Sequence, residues 1–298
     1  MSPTARGVLA IICACMIWGL SGMFYKLLVH LPAIEMMAHR TIWAAVFFLI
    51  VLGVQGRATA PFAALTRRRD LPIIVLASLM VGANWFTFVF AVQIGKALDA
   101  SLGYFIFPLV AVFLGLLVFG ERLSRVQTAA VILAAVGVIT LTAGLGVPPW
   151  ISLILGITFG IYGMLKKGLD LGPITSVTAE AILLVPLAVG LLIWVHLQGG
   201  DALGVSWAET GLLMLSGPIT ATPLILFSYG ARRVALASVG LLSYLNPTLQ
   251  FLVATLVFHE FFGLWHGVAF GMIWTALALY SWSRWHQDKA RSRLSQSA

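Results

Sequence analysis

Three residues able to carry a proton lie inside long apolar runs of this chain: Glu35, His39 and Glu180. An ionisable group in such a run is costly to bury, which makes it the first candidate for chemistry. Glu35, His39 and Trp43 recur at i, i+4 and i+8, so on a helix they share one face. Arg40 is turned about 100° from His39, and its long side chain either reaches back to that face or runs outward. Two readings stay open here. In one, Glu35 or His39 takes up protons while Arg40 holds a carboxylate or an internal acid. In the other, an internal ion pair merely orients the helix. Glu180 falls 141 residues after His39, and burial would raise the pKa of such a glutamate, while histidine titrates near neutrality unaided.

A second set of polar and aromatic residues suits the lining of a cavity. Asn84, Trp85 and Gln93 occur in one apolar run, Tyr104 and Pro108 in the next, and Tyr162, Tyr244 and Asn246 in later ones. Ser243, Asn246 and Gln250 form a one-sided stripe. Aromatic rings with a polar tip suit organic cargo. Asn, Gln and Ser serve equally as hydrogen-bonding glue between helices. Lys26 is a candidate cargo contact or a helix-end lysine that snorkels. Glu35 and His39 would supply two metal ligands, but no third is apparent. The sequence contains no phosphate-binding glycine loop and no nucleophile constellation, so no enzymatic reaction, cofactor or metal is expected. Cys13 and Cys15 stand two apart, a spacing that does not bring side chains together on a helix.

These residues are carried by a chain that is 60% hydrophobic and 9% charged, against about 25% charged in ordinary soluble domains. Such a composition predicts an all-α polytopic membrane protein, because lipid forces every backbone group to be satisfied within its own helix. Ten spans are expected, near 7–29, 33–54, 71–93, 98–119, 125–145, 148–167, 173–195, 208–230, 235–258 and 263–283. The run after Arg6 is kept as a span rather than a cleaved leader. With the basic 55–70 loop in the cytoplasm, 15 of the 18 Lys and Arg residues fall on one side. Lys26, Arg40 and Lys96 are the exceptions. This asymmetry sets both termini inside and accounts for the net charge of +8 without nucleic acid as a partner.

The chain also repeats itself. Pro108 and Glu121 recur as Pro247 and Glu260, and Phe88 as Phe227, each 139 residues on. Earlier, at an offset of 141, Gly19, Gly22, Lys26 and Pro32 match Gly160, Gly163, Lys167 and Pro173. Five spans per copy is an odd number, so the second copy enters the membrane from the opposite side. Residues 1–146 and 147–284 are thus expected to be two inverted five-helix repeats, followed by a short, mobile cytoplasmic tail at 285–298. Inverted repeats are a recurrent device of transporters. The repeated glycines are expected at close helix crossings.

Several segments resemble a known family. The ten-span arrangement, Trp18-Gly19-Leu20-Ser21-Gly22 and Gly120-Glu121-Arg122 are similar to the EamA group of the drug/metabolite transporter superfamily. Tyr25-Lys26, Glu35 through His39-Arg40, Asn84-Trp85, Ala100 through Phe105 with Pro108, and Glu180 resemble its RarD-type branch. The chain departs from that pattern at Phe107, where the branch has Asn, and at His259-Glu260-Phe261, which replaces a Gly-Glu-basic ending. The resemblance implies a proton-coupled carrier in a bacterial inner membrane that exports small organic molecules and meets only its cargo and the lipid bilayer, with a homodimer left open. Import, exchange, or a non-transporting sensor or structural subunit are the competing readings.

Overall fold

The computed structural model describes residues 1–119, 124–146, 148–199, 206–234, 239 and 242–296. Every regular element among them is helical: α1 (Pro3–Leu27), α2 (Ala33–Val54), α3 (Ala60–Thr66), α4 (Leu71–Gln93), α5 (Ala97–Phe119), α6 (Arg125–Leu145), α7 (Trp150–Lys167), α8 (Pro173–Leu197), α9 (Trp207–Ala231), α10 (Leu245–Leu252, continued by a π-helical turn Val253–Val257) and α11 (Leu264–Gln296). Seven of them, α1, α2, α4, α6, α8, α9 and the Leu264–Ser283 part of α11, are long and apolar enough to cross a membrane. Shorter apolar helical stretches occur at Ala97–Ala111, Trp150–Lys166 and Leu245–Val257.

Local chemistry sets several helix ends. Ser2 accepts from the Ala5 amide at the start of α1. Ser124 and Gln127 form a reciprocal capping box on α6, and Gly146 closes that helix with φ +72°. Ser206 caps α9 through the Glu209 amide. Each device satisfies backbone groups left over at a helix terminus.

The helices assemble through interlocking pairs. The most extensive contacts are α5 on α7, α6 on α11, α1 on α9, α2 on α8 and α9, and α4 on α7, with α10 seated against α1 and α5. Close crossings depend on glycine at two places in particular. A Cβ on Gly19 would come within 2.6 Å of Leu249, and one on Gly217 within 2.3 Å of the Trp43 carbonyl carbon. Gly163 lies in open space, so the expectation of a close crossing fails there. Large side chains such as Ile139, Leu187 and Ile193 cover the outside. An exterior this apolar suits lipid and not water.

Two segments differ from expectation. Within the basic 55–70 loop, Pro61 opens the short helix α3, which buries Ala64 in a cluster with Ile74, Leu169 and Ala179. After Arg284 the backbone of α11 stays helical to Gln296, since no Gly or Pro interrupts it where a mobile tail was expected.

Candidate functional site

A cavity of about 510 Å³ opens among α1, α2, α4, α5 and α7–α11. That volume lies within the range that receives small organic ligands. Of the sequence candidates, Arg40, Asn84, Trp85, Tyr104, Tyr162, Tyr244 and Asn246 line it, as do Ser243, Gln250 and both repeated prolines, Pro108 and Pro247. The repeat offsets recur in its walls. Trp18 and Phe159, Ser21 and Tyr162, Val81 and Thr220, Trp85 and Leu224, Phe88 and Phe227, and Tyr104 and Ser243 are all lining residues, the first two pairs 141 positions apart and the rest 139.

The polar groups of the wall are fixed by one another. Asn84 is fully buried and donates to the Leu155 carbonyl (2.9 Å) and the Thr158 hydroxyl (3.0 Å). Its carbonyl accepts from Tyr104 Oη at 2.9 Å. One amide therefore ties α4 to α5 and α7. On α10, Gln250 donates to Asn246 Oδ1 at 3.1 Å. Tyr244 is hydrogen-bonded to Ser281 of α11.

Arg40 is buried, and its direction settles one ambiguity of the sequence. The guanidinium lies 4.3 Å from the ring centre of Trp85 and 5.5 Å from that of Tyr25. Its Nε donates to Thr220 Oγ1 at 2.8 Å, whereas Nη1 is buried without a hydrogen-bond partner. No carboxylate among the described residues pairs with it, so the internal acid considered above is not found there.

Glu180 sits one layer behind the wall and is 1% exposed. Its Oε1 pairs with Lys166 Nζ at 2.6 Å and accepts from Ser176 at 2.9 Å, while Oε2 accepts from Tyr162 Oη at 3.0 Å. Lys166 also donates to Ser176. The sequence pointed to Glu180 but assigned Lys166 only to the basic inner surface. A lysine one residue from a helix end is ordinarily read as snorkelling, and the 14-residue separation from Glu180 hides the pair.

The remaining candidates lie outside the lining. Glu35 is half-buried in the first turn of α2, and His39 is buried on the same helix. Trp43 lies where α2 crosses α9. Gln93 donates to the Leu31 carbonyl at 2.7 Å, and Lys26 sits 5.4 Å over the Phe258 ring. Near Lys26, Glu260 at the end of its span anchors the start of another helix. Its two carboxylate oxygens accept from the amides of Ala97 (2.8 Å) and Leu98 (2.7 Å), at the electropositive start of α5. Its repeat mate Glu121 and the Lys167 side chain lie outside the described residues. Among the described residues, no three His, Cys, Asp or Glu side chains gather as a metal site.

The Bacillus subtilis (strain 168) protein named uncharacterized transporter YojE is 39% identical over 288 residues, spanning 95% of this chain and 96% of its own length. A family model described as the EamA-like transporter family matches residues 5–143. The chain belongs to the EamA-like transporter family. Membership makes it a membrane transporter of the drug/metabolite class, in keeping with its apolar helices. Another relative, protein RarD of Streptomyces exfoliatus, is 37% identical across 94% of this chain and 90% of that protein. A crystal structure 14% identical in sequence, covering 92% of this chain and 96% of its own, superposes with a TM-score of 0.60 and shares the fold.

Proposed function

We propose that this EamA-like protein is a secondary active carrier of the bacterial inner membrane, coupling outward movement of small organic molecules to protons by alternating access. In this reading ten helices span the bilayer as two inverted halves, 1–146 and 147–284, with both termini in the cytoplasm. The observation that carries it is the cavity wall, built from equivalent positions of the two halves. The helix pairing points the same way. Exchanging α1, α2, α4, α5 and α6 for α7, α8, α9, α10 and α11 turns α1–α9 into α7–α4, α1–α10 into α7–α5 and α2–α9 into α8–α4, all of which are packed pairs. A midplane site at the interface of two such halves is what rocking motion requires.

Glu180 is the coupling group favoured by geometry, because it is buried beside a cation and reaches the cavity through Tyr162. His39, its repeat mate on α2, is the second candidate. A structural or sensing subunit would be expected to show polar residues on its outer face. Here they face the cavity while large apolar side chains cover the exterior.

The test is reconstitution in liposomes with an internal pH reporter and a panel of metabolites. Cargo flux that moves with an imposed pH gradient supports the reading, and cargo-independent leak alone refutes it. Orientation is checked by cysteine probes: a periplasmic-side reagent should label position Gly199 and spare Ala58. The reverse pattern would invert the topology.

A further inference from the structure

Arg40 is the only formally charged residue among the described lining of the cavity. It is 5% exposed, stacked on Trp85, anchored at Nε by Thr220 and left with a buried, unpartnered Nη1. Taking a cation out of water is expensive unless it is paired. Cation–π contact with Trp85 and Tyr25 offsets part of that cost but leaves the N–H donor unsatisfied. Thr220 holds the guanidinium in place, since its own hydroxyl donates to the Ser216 carbonyl at 2.8 Å and turns a lone pair towards Nε. A protein that fixes a lone cation this firmly in a cavity of ligand size is prepared for an anion.

We infer that the cavity binds organic monocarboxylates with an aromatic or apolar body, the carboxylate seated on Arg40. This rests on the transporter reading and narrows its cargo. A carboxylate is planar and offers two oxygens to a guanidinium fork. One negative charge balances one buried cation, whereas a phosphate dianion would leave a surplus charge buried. No described lining residue is acidic, so no carboxylate in the wall balances the charge of an ammonium group, and simple amines beside Arg40 are disfavoured. The rings of Trp18, Phe107 and Phe159 offer apolar surface for the rest of the molecule.

The purified protein in lipid nanodiscs should be titrated calorimetrically with 3-phenylpropionate, its neutral amide, 2-phenylethylammonium and 2-phenylethyl phosphate. The acid is expected to bind at least tenfold more tightly than each of the other three. Arg40→Gln should erase that preference. Because a buried arginine can be needed for folding, Thr220→Val supplies a second variant, which keeps the charge and should weaken the acid severalfold more than the amide. Equal binding of acid and amide, preference for the amine or the phosphate, or no binding of the acid up to 10 mM would each overturn the inference. Binding requires no transport cycle. Selective binding without flux would therefore sink only the carrier reading, and flux without acid selectivity only this one.

Discussion

The hydroxyl of Tyr162 donates to Oε2 of Glu180 at 3.0 Å, while Tyr162 itself lines the cavity. One residue thus touches both the space for cargo and the buried carboxylate behind it. The same carboxylate also holds Lys166, so one side chain behind the wall is bonded both to a buried cation and to a ring of the wall.

Glu180→Gln should abolish net flux driven by a pH gradient while leaving cargo binding within about threefold of normal. Cargo-for-cargo exchange should survive, because it need not release a proton. Moving one charge through 100 mV is worth about 2.3 kcal/mol, enough for substantial accumulation by one group. Counterflow and pH-jump assays on the same vesicles separate the two activities. Accumulation persisting in Glu180→Gln, His39→Gln and the double variant would refute coupling through these residues.

Lys166→Ala removes one partner of a buried ion pair and leaves Glu180 uncompensated. A destabilisation of about 3–5 kcal/mol is expected, because an unpaired buried charge costs more than the pair contributes. The double variant Lys166→Met with Glu180→Met should recover most of that loss. Thermal unfolding in detergent reads both, and a double variant no better than Lys166→Ala would show that the pair itself stabilises the fold.

Asn84→Ala should destabilise the protein by about 1–3 kcal/mol by leaving the Tyr104 hydroxyl without its acceptor. Tyr104→Phe removes the hydroxyl but keeps the ring, so cargo affinity should change less than in Tyr104→Ala. Affinity equal in the two Tyr104 variants would mean that the ring does not contact cargo.

Burial raises the Glu260 carboxyl above its ordinary value of 4.5, although the amides of Leu98 and Ala97 pull it down. The folded protein then holds this proton more tightly than the unfolded chain. The resulting stabilisation is present in full below the ordinary value and is lost as pH rises through the raised one. The difference in melting temperature between the protein and Glu260→Gln should therefore shift in favour of Glu260→Gln as pH rises from 4 to 7. A pH-independent difference would contradict it.

Much of this was legible in the chain because lipid leaves few options. Apolar runs between Pro, Gly and charged breaks marked helix positions such as Ala33–Val54 and Leu71–Gln93 closely. Repeated residues marked positions that meet at the cavity, as with Phe88 and Phe227. Side-chain direction was not legible. The Glu35–His39–Trp43 face looked like the functional one, yet it is Arg40, on the neighbouring face, that enters the cavity. Three residues of one periodicity reveal a shared face but not which neighbour that face meets. Lys166 and Thr220 escaped notice for a related reason, since their partners Glu180 and Arg40 are supplied by tertiary packing. The helix α3 was hidden by the four arginines around it, which outweighed its short apolar stretch.

Pro108 stands as far before Glu121 as Pro247 does before Glu260. In the second half, however, Val253–Val257 is wound as a π turn, with the Phe258 amide reaching back to Val253 at 2.9 Å. A π turn takes up one residue more than the α-helix needs and swings everything beyond it round the axis. The equivalent stretch of α5, residues 114–118, stays α-helical, so equal spacing along these two helices is not equal angular placement. Deleting one residue from Val253–Val257 would relax the turn and carry Glu260 off the amides of Ala97 and Leu98. Residue counting between the halves thus locates partners along the helix axis, while the compass bearing of each side chain belongs to its own half.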